Sequence, residues 1–525
     1  MCCKLNKIRI VFFIHSFNKL SNPVYSRMNR IFAKCTLSVS LLNKRHIHGA
    51  VIHNSLINSS ISFQSLNPAN GDIVGEVVDC SENDTNDAIK SAKQCFNTFK
   101  HSVASKRAKL LTNWGDLMNL HSKDIAELVT MEMGKPLSEA HGEVVYASSF
   151  LYHFADQIKG GLIGEVLTPG LPNWRPINIR QPVGPVATIT PWNFPVAMIT
   201  RKVGAAIAAG CSVINAPAED TPLVSIYLAK LGIEAGFPEG LFNVIPSSRA
   251  NKPMIGKLLC ESTDIAALSF TGSTEVGKIL SKQSADSVKR LHLELGGNAP
   301  LIVFESADIK KAINSTMVAK FRNAGQACNA ANRIFVHRNI YDQFLEGLSQ
   351  KMMKLNVGNG LSKGTDIGPL VNLKGFQKVS SIVTDMKPVS GIDILVNEAP
   401  DIPVTNAPFY KPTLISCNDK TNVSIFNKEI FGPVAVLYSF DSESEVIDMA
   451  NSTRYGLQAF IFTRNLSQSW RVSENLEYGM VAVNEGAISH ANNPFGGWKE
   501  SGIGREAGHL GIDEFTENKL ICFGI

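Results

Sequence analysis

The sequence predicts an α/β fold, because short apolar runs typical of buried strands alternate with segments of helical periodicity. Between 85 and about 158, apolar residues recur every three or four positions, which indicates helix. A further helix has clear limits, with Thr221 as its N-cap, Pro222 at its first position and the Gly-Phe-Pro segment 236–238 at its end. A second α/β stretch follows Gly297. The apolar runs predicted as parallel strands around this helix are 186–190, 211–214 and 241–245.

Length and composition place the chain among multidomain globular proteins. Its 525 residues predict two or three domains, at roughly 100–200 residues each. Hydrophobic residues make up 44% and charged residues 18%, which favours a soluble protein over a disordered or membrane-embedded one. The net charge is +5, but no basic stripe runs through the body of the chain, so no nucleic-acid partner is expected.

The positive charge is concentrated in the N-terminal leader. No acidic residue precedes Asp72, whereas nine lysines and arginines lie between Lys4 and Arg45. This composition predicts a mitochondrial transit peptide over 1–50, with a disordered tail as the alternative and a possible second start at Met28. A secretory signal is disfavoured, and the apolar run 8–14 falls well short of the ~20 residues that span a membrane. We therefore expect a protein of the mitochondrial matrix with no membrane partner.

The cysteine pattern favours reduced thiols. Ten cysteines are scattered along the chain, and none forms a CxxC pair or a Cys/His cluster with zinc spacing. A disulfide framework is not expected in a chain of this length, and no metal site is predicted.

Six short segments carry the chemistry. They are TPWNFP at 190–195, FTGSTEVG at 270–277, LELGGNAP at 293–300, FRNAGQAC at 321–328, EIFGP at 429–433 and PFGG at 494–497. Together they resemble the aldehyde dehydrogenase superfamily. The resemblance covers roughly residues 65–525, and within the superfamily the chain is most similar to the succinate-semialdehyde dehydrogenases. It implies NAD-dependent oxidation of succinate semialdehyde to succinate, a step of γ-aminobutyrate degradation, on a modified Rossmann cofactor domain joined to an α/β catalytic domain.

Three residues are candidates for the chemical steps. A lone cysteine is usually a small buried hydrophobe, but Cys328 follows an uncharged Gly-Gln-Ala loop and matches the family's nucleophile. The resemblance assigns stabilisation of the oxyanion to the Cys328 backbone N–H and the Asn193 side chain, although Asn193 could also be a turn residue between prolines. Glu294 matches the general base that hydrolyses the thioester, and its apolar neighbours predict desolvation and a raised pKa. A structural salt bridge is the alternative for Glu294.

The cofactor site is predicted from a glycine turn and from the resemblance. Gly272 and Gly277 have the outer spacing of a dinucleotide fingerprint, but Thr274 replaces the middle glycine. With Ser273, they form a strand-to-helix turn whose helix N-terminus can receive phosphate.

The resemblance assigns further cofactor contacts. It places Glu219 at the adenosine ribose, where a carboxylate favours NAD over NADP, and Glu429 at the nicotinamide ribose. Trp192 and Phe431 are expected near the cofactor. Ala216 departs from the family, which usually has lysine there, so a ribose contact is missing and NADP should lose more affinity than NAD.

The resemblance also implies how the substrate is held. Arg201, Arg322 and Ser489 match positions that bind the distal carboxylate in succinate-semialdehyde dehydrogenases. A planar guanidinium suits this task because it can hold a carboxylate with two hydrogen bonds. The alternative for each arginine is a surface salt bridge.

The domain boundaries and the quaternary structure follow from the resemblance as well. It implies an NAD-binding domain over 60–165 and 185–295, a catalytic domain over 296–490, and a small oligomerisation element over 166–184 and 505–525 that pairs between the subunits of a homodimer or homotetramer. Two alternatives stay open. The substrate could be another ω-carboxy or aliphatic aldehyde, or the chain could be a non-catalytic scaffold of the same fold.

Overall fold

A computed structural model describes residues 47–389, 391–396, 407–417 and 424–525 of this chain. The predicted transit peptide lies outside the described residues, except for its last four positions. The helices, in chain order, are α1 Glu82–Phe99, α2 Ala104–Leu120, α3 Ser122–Met133, α4 Leu137–Ile158, α5 Pro195–Ala209, α6 Pro222–Glu234, α7 Lys252–Glu261, α8 Thr274–Ser284, α9 Ile309–Phe321, α10 Tyr341–Met352, α11 Leu373–Thr384, α12 Glu443–Asn451 and α13 Leu466–Asn475.

The strands alternate with these helices, as the α/β prediction requires. In chain order they are β1 Ile47–His48, β2 Ala50–Ile52, β3 Ser55–Ile57, β4 Ser62–Leu66, β5 Ile73–Val78, β6 Glu165–Val166, β7 Trp174–Pro182, β8 Val186–Thr190, β9 Val213–Pro217, β10 Phe242–Val244, β11 Ala267–Thr271, β12 Arg290–Glu294, β13 Ala299–Val303, β14 Ala331–His337, β15 Ile392–Val396, β16 Thr413–Cys417, β17 Val434–Phe440, β18 Tyr455–Gly456, β19 Gln458–Phe462, β20 Met480–Val483, β21 Trp498–Lys499, β22 Gly502–Ile503 and β23 Thr516–Gly524.

The first large sheet has eight strands in the order β22-β12-β11-β8-β9-β10-β2-β3. Its five central strands are parallel, and β22, β2 and β3 are antiparallel additions at its two sides. The chain runs from β8 outward through β9 and β10, then returns to the other side of β8 with β11 and β12. The strand order therefore reverses between β8 and β11, and ligands of open α/β sheets bind outside the carboxyl ends of strands at such a point.

The second large sheet has seven strands in the order β15-β16-β17-β14-β13-β19-β20. All neighbours are parallel except the edge pair β15 and β16. Its strands and the helices α9 to α13 share one large apolar core. This is the second α/β stretch expected after Gly297.

A third sheet has three strands, in the order β23-β7-β6. Strand β23 pairs antiparallel with β7 over nine residues, from Thr516 opposite Pro182 to Gly524 opposite Trp174. These are the segments predicted to pair between subunits, and here they pair within one chain. Contact of this sheet with a second subunit stays a prediction.

Local sequence signals explain several helix limits. Helix α6 begins at Pro222, as predicted, because a proline at the first position loses no helical hydrogen bond. Thr221 occupies the N-cap position, but its side chain makes no capping hydrogen bond. After this helix, Gly236 adopts a φ of 97°, a left-handed conformation that glycine takes without a Cβ penalty. The predicted helical region 85–158 forms four helices, α1 to α4.

Candidate active site

A cavity of about 1070 Å³ lies where the first sheet faces the second. Segments that follow β8, β9 and β11 of the first sheet form one part of its wall. The loops that precede β14 and β17 of the second sheet form another part. The cavity therefore occupies the position that the reversal of strand order between β8 and β11 predicts.

Cys328 lies in the loop between α9 and β14 and lines the cavity. In the same loop, the three consecutive residues Asn323, Ala324 and Gly325 have positive φ values of 55°, 53° and 71°. Non-glycine residues rarely adopt this conformation, and such strain persists only where the surroundings enforce it. Gly297 helps to fix the loop, because a Cβ there would overlap the Cys328 carbonyl oxygen.

Glu294 is the last residue of β12 and is 1% exposed. Neither of its carboxylate oxygens has a hydrogen-bond partner among the described nitrogen and oxygen atoms, and its neighbours in the cavity include the Cys328 thiol. Burial raises the pKa of Glu294 to about 7 and outweighs the opposing effect of the Arg201 charge. Burial and the Glu294 carboxylate raise the pKa of Cys328 well above its ordinary value. The pair therefore consists of a protonated thiol beside a carboxyl group that can exchange protons near neutral pH.

Asn193 lies on the segment between β8 and α5 and is buried. Its side-chain nitrogen donates to the carbonyl of Gln326, two residues before the nucleophile, at 3.1 Å. The carbonyl of Asn193 accepts from Lys135 Nζ at 2.8 Å and from Asn323 Nδ2 at 3.0 Å. These bonds tie the Asn193 amide to the nucleophile loop, so that an amide donor and the Cys328 thiol share one cavity.

The predicted phosphate-binding turn, 272–277, lies only partly on the cavity wall. Gly272 and Ser273 line the cavity at the start of α8, and Ser273 caps this helix by accepting from Val276 N at 3.3 Å. Two other predicted cofactor residues do not line the cavity. The Thr274 hydroxyl donates to the Glu500 carbonyl at 3.2 Å, and Gly277 lies against Leu295. The last two residues therefore shape the turn.

Ala216 and Glu219 lie at the end of β9, on the same cavity wall. Ala216 presents only a methyl group there and is 2% exposed. Burial alone would raise the pKa of Glu219, but its ion pair with Lys252 and its hydrogen bonds outweigh burial and lower it. Glu219 is thus ionised at neutral pH and can accept hydrogen bonds from hydroxyl groups.

Glu429, Phe431 and Trp192 line the same cavity as Cys328. Glu429 Oε1 accepts from the backbone N–H of Gly297 at 2.9 Å, which links β17 to the segment before β13. The rings of Trp192 and Phe431 meet edge to face, with centroids 5.6 Å apart. Phe431 has a φ of 60°, a conformation that bulky residues rarely adopt.

The predicted substrate residues have different environments. Arg322 is exposed, lines the cavity, and has its guanidinium carbon 5.4 Å from the centre of the Phe194 ring. Among the described residues, it has no carboxylate partner within ion-pair distance. Ser489 Oγ accepts from Asn329 Nδ2 at 3.3 Å. Arg201 lines the cavity too, but it is 2% exposed and its guanidinium forms an ion pair with Glu506.

The partner of Arg201 belongs to a buried polar network that the sequence analysis missed. Glu506 also forms an ion pair with Lys202, whose Nζ lies 3.1 Å from Ser269 Oγ. Burial would raise the pKa of Glu506, but Arg201 and Lys202 lower it to about 2. The network keeps a buried positive charge next to Glu294. No local signal reveals it, since Lys202 and Glu506 are 304 positions apart.

Lys135 and Glu143 were missed as well. Their side chains form a fully buried ion pair, and Glu143 Oε1 accepts from Val196 N at 2.8 Å in the first turn of α5. Because Lys135 also holds the Asn193 carbonyl, the pair fixes the segment that carries the amide donor. Within the described part of the chain, no cluster of His, Cys, Asp and Glu could hold a metal ion, and no helix is long and apolar enough to cross a membrane.

Comparison with known proteins identifies the family of the chain. The aldehyde dehydrogenase family matches residues 57–521 of the chain. The mitochondrial succinate-semialdehyde dehydrogenase of Arabidopsis thaliana is 44% identical over 487 residues, which cover 93% of this chain and 90% of the relative.

Solved structures share the whole fold. The E. coli NADP-dependent enzyme is 41% identical with a TM-score of 0.88, and the match covers 93% of this chain and 99% of that one. The betaine aldehyde dehydrogenase of Staphylococcus aureus, solved in complex with NAD⁺, is 31% identical with a TM-score of 0.88 over 93% of this chain and 97% of that one. Sequence, fold and cavity agree, and the chain belongs to the aldehyde dehydrogenase family.

Proposed function

We propose that the protein oxidises succinate semialdehyde to succinate with NAD, through a thioester on Cys328. One observation carries the proposal. A single cavity combines the Cys328 thiol and the buried Glu294 carboxyl with the exposed guanidinium of Arg322, which has no carboxylate within ion-pair distance among the described residues. The first two groups suit covalent aldehyde chemistry, and the third suits a substrate that carries a second, anionic end.

The chain's own groups account for the covalent steps. The Cys328 sulfur bonds to the aldehyde carbon, and the thiol proton is released to solvent, so that the Glu294 carboxylate stays ionised for the later step. The carbonyl oxygen becomes an oxyanion, which the Asn193 amide and the Cys328 backbone N–H stabilise. A bound NAD would supply the acceptor for the hydride of this carbon, and Cys328 would then carry the acyl group as a thioester. Glu294 then takes a proton from water, whose oxygen attacks the thioester and releases the carboxylate and the thiol.

The residues on the cavity wall fit a dinucleotide. A Cβ at Gly272 would overlap the Phe270 ring, so this turn requires glycine, and the N-terminus of α8 that follows it can receive phosphate. Glu219 would accept from the adenosine ribose, and Glu429 from the nicotinamide ribose, with Trp192 and Phe431 beside the ring. An ionised Glu219 supports NAD as the cofactor, because it repels a 2′-phosphate.

The distal carboxylate would bind Arg322 and Ser489. Arg201 would contribute mainly through its positive charge, since its guanidinium already has Glu506 as its partner. Arg322 would therefore bind the carboxylate directly and Arg201 would act through its charge, although the sequence predicted the same contact for both.

An aldehyde panel tests the proposal. With NAD, wild-type protein should turn over succinate semialdehyde with a much lower KM than butanal, which lacks the carboxylate. Arg322→Ala should raise the KM for succinate semialdehyde roughly ten- to a hundredfold, as expected for the loss of a charge-assisted hydrogen bond, and leave butanal unchanged. Arg464→Ala, at an exposed arginine paired with Asp308, is the control and should behave as wild type. Equal KM changes for both aldehydes in Arg322→Ala would refute the substrate assignment.

The acid-free, basic leader and the mitochondrial name of the Arabidopsis relative support a location in the mitochondrial matrix. A fluorescent fusion to residues 1–50 should accumulate in mitochondria, and a cytosolic signal would argue against the mitochondrial location.

The third sheet, with exposed apolar side chains on β23, supports a homodimer or homotetramer.

A further inference from the structure

The end of β9 is the part of the cavity that would face the adenosine ribose. In a doubly wound sheet, the strand next to the central one ends near this ribose, and an acidic residue after it binds the ribose hydroxyls. Here β9 is the neighbour of β8, and Glu219 follows the end of β9 by two residues. The charges around Glu219 therefore determine how the site treats a hydroxyl or a phosphate at the ribose 2′ position.

Lys252 supplies an ammonium group to the cavity wall beside Glu219. It is the first residue of α7 and comes from a different segment than Glu219. Its Nζ lies 3.0 Å from Glu219 Oε2 and donates to the Pro217 carbonyl at 2.7 Å. The Lys252 and Glu219 side chains keep 25% and 28% of their surface exposed, and both line the cavity. Lys252 is therefore both anchored and accessible to a ligand.

Two cations face three carboxylates around this position. Ala216 contributes no charge, so a cation on this wall must come from another segment. Lys252 and the exposed Arg249 line the wall with Glu219 and Asp220, and the Asp79 carboxylate also acts on Lys252. Asp220 is held by Asn372 Nδ2 at 3.1 Å, on another part of the cavity wall. A phosphate at this position would therefore meet a cation as well as Glu219.

We propose that Lys252 is a cofactor-selectivity residue, which replaces the ammonium absent from position 216 and binds the 2′-phosphate of NADP, so that the protein accepts NADP as well as NAD. This inference rests on the proposed dinucleotide site. It also revises the expectation that Ala216 alone penalises NADP, because the compensating cation lies 36 positions further along the chain.

Calorimetric titration of the full chain with NAD and with NADP, in the absence of aldehyde, tests the inference. Lys252→Met should weaken NADP binding roughly ten- to a hundredfold and change NAD binding by less than about threefold. Lys252→Arg should keep NADP binding near the wild-type value. Lys257→Met is the matched control, since Lys257 lies on the same helix, is 60% exposed, and does not line the cavity.

The outcomes separate this inference from the cofactor assignment. A wild type that binds NAD but not NADP, or a Lys252→Met variant with an unchanged ratio of the two dissociation constants, overturns the role of Lys252 and leaves the dinucleotide site intact. A wild type that binds neither dinucleotide overturns both. Loss of NADP affinity in Lys252→Met, with retention in Lys252→Arg and Lys257→Met, supports the inference.

Discussion

At the scale of a single residue, the burial of Glu294 sets the pKa on which its role as a base depends. Its pKa is raised to about 7 because burial disfavours the charged carboxylate. The base that activates water must be ionised, so thioester hydrolysis should become faster as the pH rises through about 7 and slower as it falls below. Where hydrolysis limits turnover, the steady-state rate of the wild type should show this inflection.

Glu294→Gln should remove the inflection, because an amide cannot accept the proton. Its steady-state rate should fall by about 10²-fold or more, the usual contribution of a general base. A burst of NADH should precede the slow phase, since the first hydride leaves before hydrolysis is needed. Stopped-flow absorbance from pH 5.5 to 8.5 measures both phases, with Glu305→Gln at an exposed site as the control. An unchanged pH profile in Glu294→Gln would exclude Glu294 as the base.

At the scale of elements, Gly297 links the two large sheets. It lies between β12 and β13, where a Cβ would overlap the carbonyl oxygen of Cys328. Moving the Cys328 backbone should cost free energy, because the loop before it is already held in left-handed conformations. Gly297→Ala should therefore displace the nucleophile loop and reduce kcat by about 10²-fold, the effect expected of a displacement near 1 Å.

The control for this prediction is Gly170→Ala, because a Cβ at Gly170 meets no atom within 4 Å. Steady-state kinetics should show wild-type kcat for Gly170→Ala, and calorimetry should show that Gly297→Ala still binds NAD. Wild-type kcat in Gly297→Ala would mean that the loop has more freedom than its contacts indicate.

Elements also show what the sequence could predict. Helix α6 was predicted with its proline start and glycine end, because both signals are local backbone preferences. The ion pair of Arg201 with Glu506 and that of Lys252 with Glu219 were not, because each partner comes from a separate element and only folding brings the pair together. The motif residues Cys328, Glu294 and Asn193 were named from sequence. The apolar neighbours of Glu294 also predicted its desolvation, whereas its 1% exposure is a property of the packed structure.

At the scale of the whole molecule, the third sheet presents an apolar surface. On β23, Leu520 and Phe523 are 63% and 53% exposed, and Trp174 on the paired strand β7 is 43% exposed. Because side chains alternate along a strand, Leu520 and Trp174 lie on one face of the sheet and Phe523 on the other. Exposed apolar groups of this kind can mark an interaction surface. We predict that the wild type is a dimer or tetramer in light scattering, and that Leu520→Asp or Phe523→Asp lowers its mass toward that of the monomer.

Leu466→Asp is the matched control for this prediction, since Leu466 is 82% exposed on α13 and outside the third sheet. It should leave the assembly unchanged. A wild type that is monomeric at micromolar concentration would contradict the predicted assembly, and equal dissociation by Leu466→Asp would place the interface elsewhere.

The central claim is that oxidation proceeds through an acyl group on Cys328, and trapping that group tests it most directly. Glu294→Gln should be incubated with NAD and succinate semialdehyde, denatured in acid and mapped by peptide mass spectrometry. We expect a succinyl group on Cys328 and none on the exposed thiol of Cys522, and no adduct in the double variant that also carries Cys328→Ala. An unmodified Cys328 after NADH has formed, or near-normal turnover in Cys328→Ala, would contradict the covalent mechanism.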